Sequence, residues 1–181
     1  MTAKPAYLLD RVGAGDSPPS QVNAVVEIPK SGSVKYEVDP QTGLVFVDRF
    51  LYTAIHYPFN YGFIPGTKGE DGDYLDALVL TEEPVYPMSV IRSRIIGALL
   101  MEDEGGPDSK IVAVPDKNID PAHSSLSDVR QLPDFTLKQM EYFSAHYKEE
   151  EPGKFVRVHR WQGRPAAEGL IRKAVVAFKE G

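Results

Sequence analysis

The chain contains no cysteine. Disulfide staples, thiolate zinc sites and a cysteine nucleophile are therefore excluded, and a reducing compartment suits the composition. No apolar run reaches the length of a membrane span, and the N-terminal stretch lacks the long apolar core of a signal peptide. Basic residues are in deficit: 20 Lys and Arg against 26 Asp and Glu leave a net charge of −6. That balance argues against a nucleic-acid surface, which needs a basic face. There is no Walker lysine motif, no internal repeat and no regular alternation of strands with helices, so P-loop and Rossmann architectures are disfavoured. The expectation is a soluble cytoplasmic protein with neither nucleic acid nor membrane as partner. At 181 residues it has enough chain for one domain with a real core.

Against these absences stands one dense acidic stretch, Glu70-Asp71-Gly72-Asp73-Tyr74-Leu75-Asp76, directly before the apolar run Ala77 to Leu80. In an extended backbone Asp71 and Asp73 share a face and Asp76 points away, so the three converge only if the chain bends, which Gly72 allows. Carboxylates that close stay ionised together only beside cations, and hard divalent cations prefer oxygen ligands. A solvated acidic turn before a buried strand is the alternative reading. An EF-hand is a worse fit, because its loop needs glycine at position 6 and here the glycine lies between the first two aspartates.

Taken in order, residues 1–21 are rich in Pro and Gly and read as an irregular arm; residues 22–181 read as a single domain. Strands are expected over Val22 to Ile28, Val34 to Val38 and Leu44 to Phe50. Glu27 is an acid inside the first, Lys35 and Glu37 share a face of the second, and Arg49 closes the row Val45, Val47 in the third. An arginine at the edge of a buried row needs an anion or a carboxylate. Tyr52 to Pro65, with Tyr57 and Tyr61, reads as a packed aromatic loop or bent strands. Ser89 to Met101 is a long strand with Gly97 as a bulge candidate, paired as a hairpin with Ile111 to Val114. The loop between them carries a second acidic cluster, with Asp103, Glu104 and Asp108 beside Lys110. Pro133 suits a first helical position, and Asp134 to about Lys148 follows amphipathic spacing. Lys148 at its C-terminal end also suits the helix dipole. Lys154 to Trp161 is a last strand, and a helix from Pro165 buries Leu170, Ile171, Ala174, Val175 and Phe178. Many strands with two late helices indicate α+β, mainly β, with a closed or strongly curved sheet.

Carboxylates that hold several divalent cations, beside lysines, an arginine and tyrosine hydroxyls that hold an anion, describe a metal-dependent phosphoryl-transfer site. A barrel binding single-stranded nucleic acid would explain the aromatics and lysines but not the acids. A metal-binding protein without catalysis would explain the acids but leaves Lys35, Arg49, Lys110 and Lys148 without a task.

Several ordered motifs resemble the family I soluble inorganic pyrophosphatases, prokaryotic type, over residues 22–180. The strongest is Asp71-Gly72-Asp73-Tyr74-Leu75-Asp76. Glu27-Ile28-Pro29, Lys35-Tyr36-Glu37, Val47-Asp48-Arg49, Tyr57-Pro58-Phe59-Asn60-Tyr61-Gly62, Met101-Glu102-Asp103-Glu104, Asp108-Ser109-Lys110 and His146-Tyr147-Lys148 support it. One departure is Tyr74, where the family usually has proline; altered loop packing with the activity retained is expected.

The resemblance implies a small closed OB-like β-barrel with two flanking helices. It also implies hydrolysis of pyrophosphate to two phosphates by direct attack of a metal-activated water, making the chain an inorganic diphosphatase. The implied cofactor is Mg²⁺, several ions per site, with Mn²⁺, Zn²⁺ or Co²⁺ as substitutes, and the implied assembly is a homohexamer. Asp71, Asp76 and Asp108 would bind the high-affinity metal, and Asp103 with Asp108 those arriving with substrate. Asp73 would be the general base. Glu27 and Glu37 would act on metals through water, with Glu104 close by in sequence and Tyr57 supporting by hydrogen bonding. Arg49, Tyr147 and Lys148 would hold one phosphate, and Lys35, Tyr61 and Lys110 the other.

Lys148 separates the site reading from the helix-dipole reading. Lys148→Ala is expected to weaken substrate binding, read as a raised KM in phosphate-release assays, while the melting temperature stays near that of the parent. A large drop in melting temperature instead supports the dipole role.

Overall fold

The computed structural model describes residues 8–181. Five strands close into a barrel. β1 (Gln21–Ile28) pairs antiparallel with β4 (Asn60–Ile64), which pairs antiparallel with β5 (Leu75–Val79). β5 runs parallel to β8 (Lys110–Pro115), β8 is antiparallel to β6 (Val90–Asp103), and β6 returns to β1. The second half of β6 also carries β9 (Val156–Gly163), and its tip turns back through the short β7 (Gly106–Pro107). A separate ribbon of β2 (Val34–Val38) and β3 (Val45–Phe50) stands off the barrel.

The expected α+β barrel with α2 (Asp134–His146) and α3 (Arg164–Glu180) beside it is what the chain builds. The continuous run Ile111-Val112-Ala113-Val114 shows why: β8 is buried on both faces and divides its side chains between two cores. Ile111 and Ala113 pack with Val26, Ile95 and, from α3, Ala167 and Ile171. Val112 and Val114 pack with Ile28, Phe59 and, from α2, Met140 and Phe143. Each such side chain removed from water contributes on the order of 1.5–3 kcal/mol. The register shift of β6 against β8 falls between Ile95 and Gly97, where the bulge was expected.

Three expectations need correction. The arm expected to be irregular contains a short helix, α1 (Leu8–Val12), so three helices accompany the barrel rather than two; the part of the arm before residue 8 lies outside the described residues. Pro133 is the residue before α2, with extended ψ, and not its first helical residue. The row Val45, Val47 is not buried: Phe46, Val47 and Phe50 are exposed, because a two-stranded ribbon off the barrel has no second layer behind it. The Tyr52 to Pro65 stretch resolves into an irregular segment followed by β4.

β4 passes close to β1, and Gly62 is what permits it. A Cβ there would lie 1.8 Å from the Val25 carbonyl oxygen. Gly62→Ala is expected to lower stability by about 2–4 kcal/mol in urea unfolding. An unchanged midpoint would mean that β1 and β4 move apart at little cost.

Candidate active site

One cavity of about 1100 Å³ opens at the end of the barrel where β5 and β8 begin. It is lined by Glu27, Lys35, Glu37, Arg49, Tyr61, Asp71, Asp73, Asp76, Asp103, Glu104, Asp108, Lys110, Tyr147 and Lys148, which is every side chain singled out above except Tyr57. They arrive on seven pieces of chain, Glu27 on β1 and Tyr61 on β4 among them. The loop before β5 brings Asp71 and Asp73, and β5 itself Asp76. The end of β6 brings Asp103 and Glu104, the β7–β8 turn Asp108 and Lys110. The C-terminal end of α2 delivers Tyr147 and Lys148, and the β2–β3 ribbon swings Lys35, Glu37 and Arg49 over the mouth.

The parallel pairing of β5 with β8 sets Ala77 opposite Ile111, and so brings the preceding residues, Asp76 and Lys110, together. Lys110 is only 5% exposed. Its ammonium donates to Asp76, to Asp108 Oδ1 at 2.6 Å and to the Tyr61 hydroxyl at 3.2 Å. Burial alone would favour the neutral amine; the carboxylates of Asp76 and Asp108 outweigh it and hold the ammonium protonated. Lys148 is equally buried and donates to Asp103 Oδ2 at 2.7 Å and Glu104 Oε2 at 2.9 Å. Its ammonium is committed to the cavity and not to the end of α2. Arg49 Nε donates to Glu151 Oε1 at 2.8 Å, and its guanidinium also meets Asp48. Lys35 bonds Glu37, as a neutralised strand pair would, and lies 3.5 Å from Asp48.

The acidic loop bends as Gly72, at φ +94°, allows. The Asp73 N–H donates to Asp71 Oδ1 at 3.0 Å, and the Gly69 N–H to the Asp73 carbonyl at 2.7 Å. The Asp73 carboxylate accepts no hydrogen bond from a described residue. Burial, with Asp71, Asp76 and Glu37 nearby, raises its pKa, which makes it a better proton acceptor. Burial likewise keeps the hydroxyls of Tyr61 and Tyr147 protonated, and so able to donate to an anion.

Tyr57 departs from its expected role. It does not line the cavity, and its hydroxyl bonds to no described residue. Its ring instead wedges between Phe143 (4.4 Å), Tyr61 (5.7 Å) and Tyr147 (6.5 Å), so it supports the site by packing two site tyrosines. Three contributors escaped sequence reasoning as site residues: Asp48, Glu151 and Lys154, whose ammonium meets Glu104 Oε1 at 2.6 Å. Asp48 stood inside a quoted motif. Glu151 belongs to a run of three glutamates, and nothing in the run distinguishes the buried one.

The donors for a metal are all carboxylate oxygens, which fits a hard divalent cation. Asp76 and Asp108 already converge on one positive charge, the Lys110 ammonium. Among the described residues no three acidic side chains close into a ready-made metal cluster, since the lysines lie between them.

A family model described as inorganic pyrophosphatase matches residues 24–179. The inorganic pyrophosphatase of Aeropyrum pernix is 52% identical over 169 residues, 93% of this chain and 96% of that one. That of Aquifex pyrophilus is 49% identical over 167 residues, 92% and 94% of the two chains. The crystal structure of an inorganic phosphatase from Anaplasma phagocytophilum superposes with a TM-score of 0.91 at 44% identity, covering 93% of this chain and 99% of the other.

Glu27 supplies a test of the site's electrostatics. Burial, partly offset by the Val38 N–H it accepts at 2.9 Å, raises its pKa from 4.5 to about 7. A raised carboxyl pKa gives stability that is complete below the unfolded value and lost as pH rises through the folded one, here between about pH 4.5 and 7. In EDTA, Glu27→Gln is therefore expected to exceed the parent in stability at pH 8 by up to about 3 kcal/mol. The gain should shrink toward pH 4.5 in urea unfolding. A gain that does not depend on pH would contradict the buried-charge account.

Proposed function

Because the chain belongs to the inorganic pyrophosphatase family, its reaction is the hydrolysis of inorganic pyrophosphate to two orthophosphates; we propose that it proceeds by direct attack of water in this cavity and depends on Mg²⁺. One observation carries the reading. Aspartates from three separated stretches of chain meet two buried lysines and an arginine in a single cavity. A site for an acidic ligand alone has no use for the carboxylates, and a metal store has no use for the cations.

Asp71, Asp76, Asp103 and Asp108 would hold the divalent ions, with Glu27 and Glu37 supporting them through water and Glu104 orienting Lys148 and Lys154. When bound, such ions acidify water and neutralise the leaving phosphate. With charge supplied to the carboxylates, the ammonium of Lys110 becomes available to a phosphoryl oxygen, together with the Tyr61 hydroxyl and Lys35. Arg49, Tyr147 and Lys148 would hold the second phosphate. Placing fixed cations where negative charge develops costs no reorganisation during the reaction. Asp73, exposed and without a hydrogen-bond donor among the described residues, would take the proton of the attacking water. Its raised pKa suits that task.

Residues 22–181 act as the catalytic unit in this reading. A homo-oligomer is supported by an apolar surface on which Phe135 and Tyr142 of α2 stand exposed beside Ile55 and Pro58; six copies is the number implied by the resemblance. No helix among the described residues is long and apolar enough to cross a membrane, and we place the enzyme in the cytoplasm.

Phosphate release from pyrophosphate is expected to require Mg²⁺, to stop in EDTA, and to fall at least about a hundredfold in Asp73→Asn, with Mg²⁺ affinity by calorimetry kept within a few-fold. Near-parental turnover in Asp73→Asn would remove it as the base. Full release in EDTA would remove the metal dependence.

A further inference from the structure

The residue that follows Asp73 is gripped by three separate parts of the fold. Tyr74 stacks its ring on Phe63 of β4, with centroids 5.1 Å apart and planes 14° apart. Phe178, near the end of α3, meets the same ring at 6.2 Å. The Tyr74 hydroxyl donates to a carboxylate oxygen of Asp10 in α1. The adjacent Leu9 is buried with Val25 and Phe63, in the cluster against which Tyr74 packs. Leu9 thus fixes the short arm helix to the barrel, and Asp10 extends from it to the acidic loop.

The loop itself has few other restraints. At its start the Lys68 N–H reaches the Ala174 carbonyl of α3 at 2.9 Å; from Gly69 to Leu75 the other ties are short-range: Gly72 N–H to the Gly69 carbonyl at 3.1 Å, Asp73 N–H to Asp71, Gly69 N–H to the Asp73 carbonyl, and Leu75 N–H to Thr67 Oγ1 at 2.9 Å. At Gly72 an added Cβ would meet nothing within 4 Å, so no wall of packing holds the bend. The Asp73 carboxylate has no hydrogen bond of its own to a described residue. Its position follows its backbone, and the backbone is anchored to the body of the protein one residue later.

We propose that Tyr74, held by Asp10, is a positioning residue that sets the Asp73 carboxylate for proton transfer, so that the N-terminal arm contributes to turnover without touching substrate. This rests on the reading of Asp73 as general base. A base must lie within hydrogen-bond reach of the proton it takes, and small displacements are costly. A hydroxyl bonded to an ionised carboxylate is a strong, directional tether, because the bond is charge-assisted. Stacking on Phe63 limits motion of the ring, while the bond to Asp10 fixes the ring along its long axis.

The test uses the full chain with saturating Mg²⁺ and compares Tyr74→Phe, Asp10→Ala, their double variant and Asp10→Asn, with Asp73→Asn alongside. Tyr74→Phe keeps the stack on Phe63 and removes the hydroxyl that bonds Asp10. Tyr74→Phe and Asp10→Ala are each expected to lower kcat about three- to tenfold and to leave KM within about twofold. The double variant should fall by clearly less than the product of the two single losses, because both break the Tyr74–Asp10 bond; a fully multiplicative loss would overturn the shared tether. Asp10→Asn retains an acceptor oxygen and should recover most of the loss. Parental kcat in Tyr74→Phe and Asp10→Ala beside an inactive Asp73→Asn overturns the positioning role and leaves the general base standing. A loss that vanishes when rates are divided by the folded fraction from circular dichroism overturns it as well. Full turnover in Asp73→Asn removes the base, and the positioning role with it.

Discussion

A protonated lysine inside a closed barrel is the constraint on which the site depends. Lys110 opens β8, whose next four residues are buried on both faces, so its ammonium, although it lines the cavity, is almost wholly withdrawn from water. An unpaired charge there would cost several kcal/mol, and the fold meets the requirement with Asp76 from the parallel neighbour β5 and Asp108 from the turn before β8. Buried ion pairs of this kind add little net stability, since desolvation offsets attraction. Their presence in the cavity is therefore better explained by chemistry than by folding. The same balance recurs at Lys148 with Asp103 and Glu104, and at Arg49 with Glu151 and Asp48.

Interleaving both signs of charge solves a problem that neither sign solves alone. Aspartates crowded at one mouth would raise one another's pKa values and protonate; lysines in the same low-dielectric space would lose their protons. Each set keeps the other ionised. Divalent cations, when bound, would compete with the ammonium groups for the carboxylates, and ammonium groups so released could meet an anion. Asp73 stands apart from these pairs, which leaves its carboxylate open to accept a proton.

The architecture divides accordingly. The barrel, with two cores under α2 and α3, holds Asp76, Tyr61 and Lys110 on adjacent strands. Most other charged groups of the cavity come from outside the barrel body: the loop before β5, the β6–β8 tip, the end of α2 and the β2–β3 ribbon. The ribbon shows the cost of this placement. Phe46, Val47 and Phe50 remain exposed because no second layer among the described residues lies behind them. Tyr57, by contrast, packs its buried ring against those of Tyr61 and Tyr147.

Local pattern was enough to place most elements, because it rests on short-range physics. Alternation marked the β2 strand and helical spacing marked α2, while three aspartates around a glycine, which also suit a solvated turn, pointed to a cation site only beside a second acidic cluster and basic residues. The sequence by itself thus determined most strands and helices and, with the family resemblance adding Tyr61, Glu104 and Tyr147, which side chains reach the cavity. Tertiary structure alone decided who partners whom. That Lys110 joins Asp76 follows from parallel pairing across 34 residues of chain. That Glu151 and not its neighbours meets Arg49 follows from a contact across 102 residues, and that Asp10 reaches Tyr74 follows from one across 64. Periodicity describes the faces of one element; it contains nothing about which two elements the closed barrel will bring together.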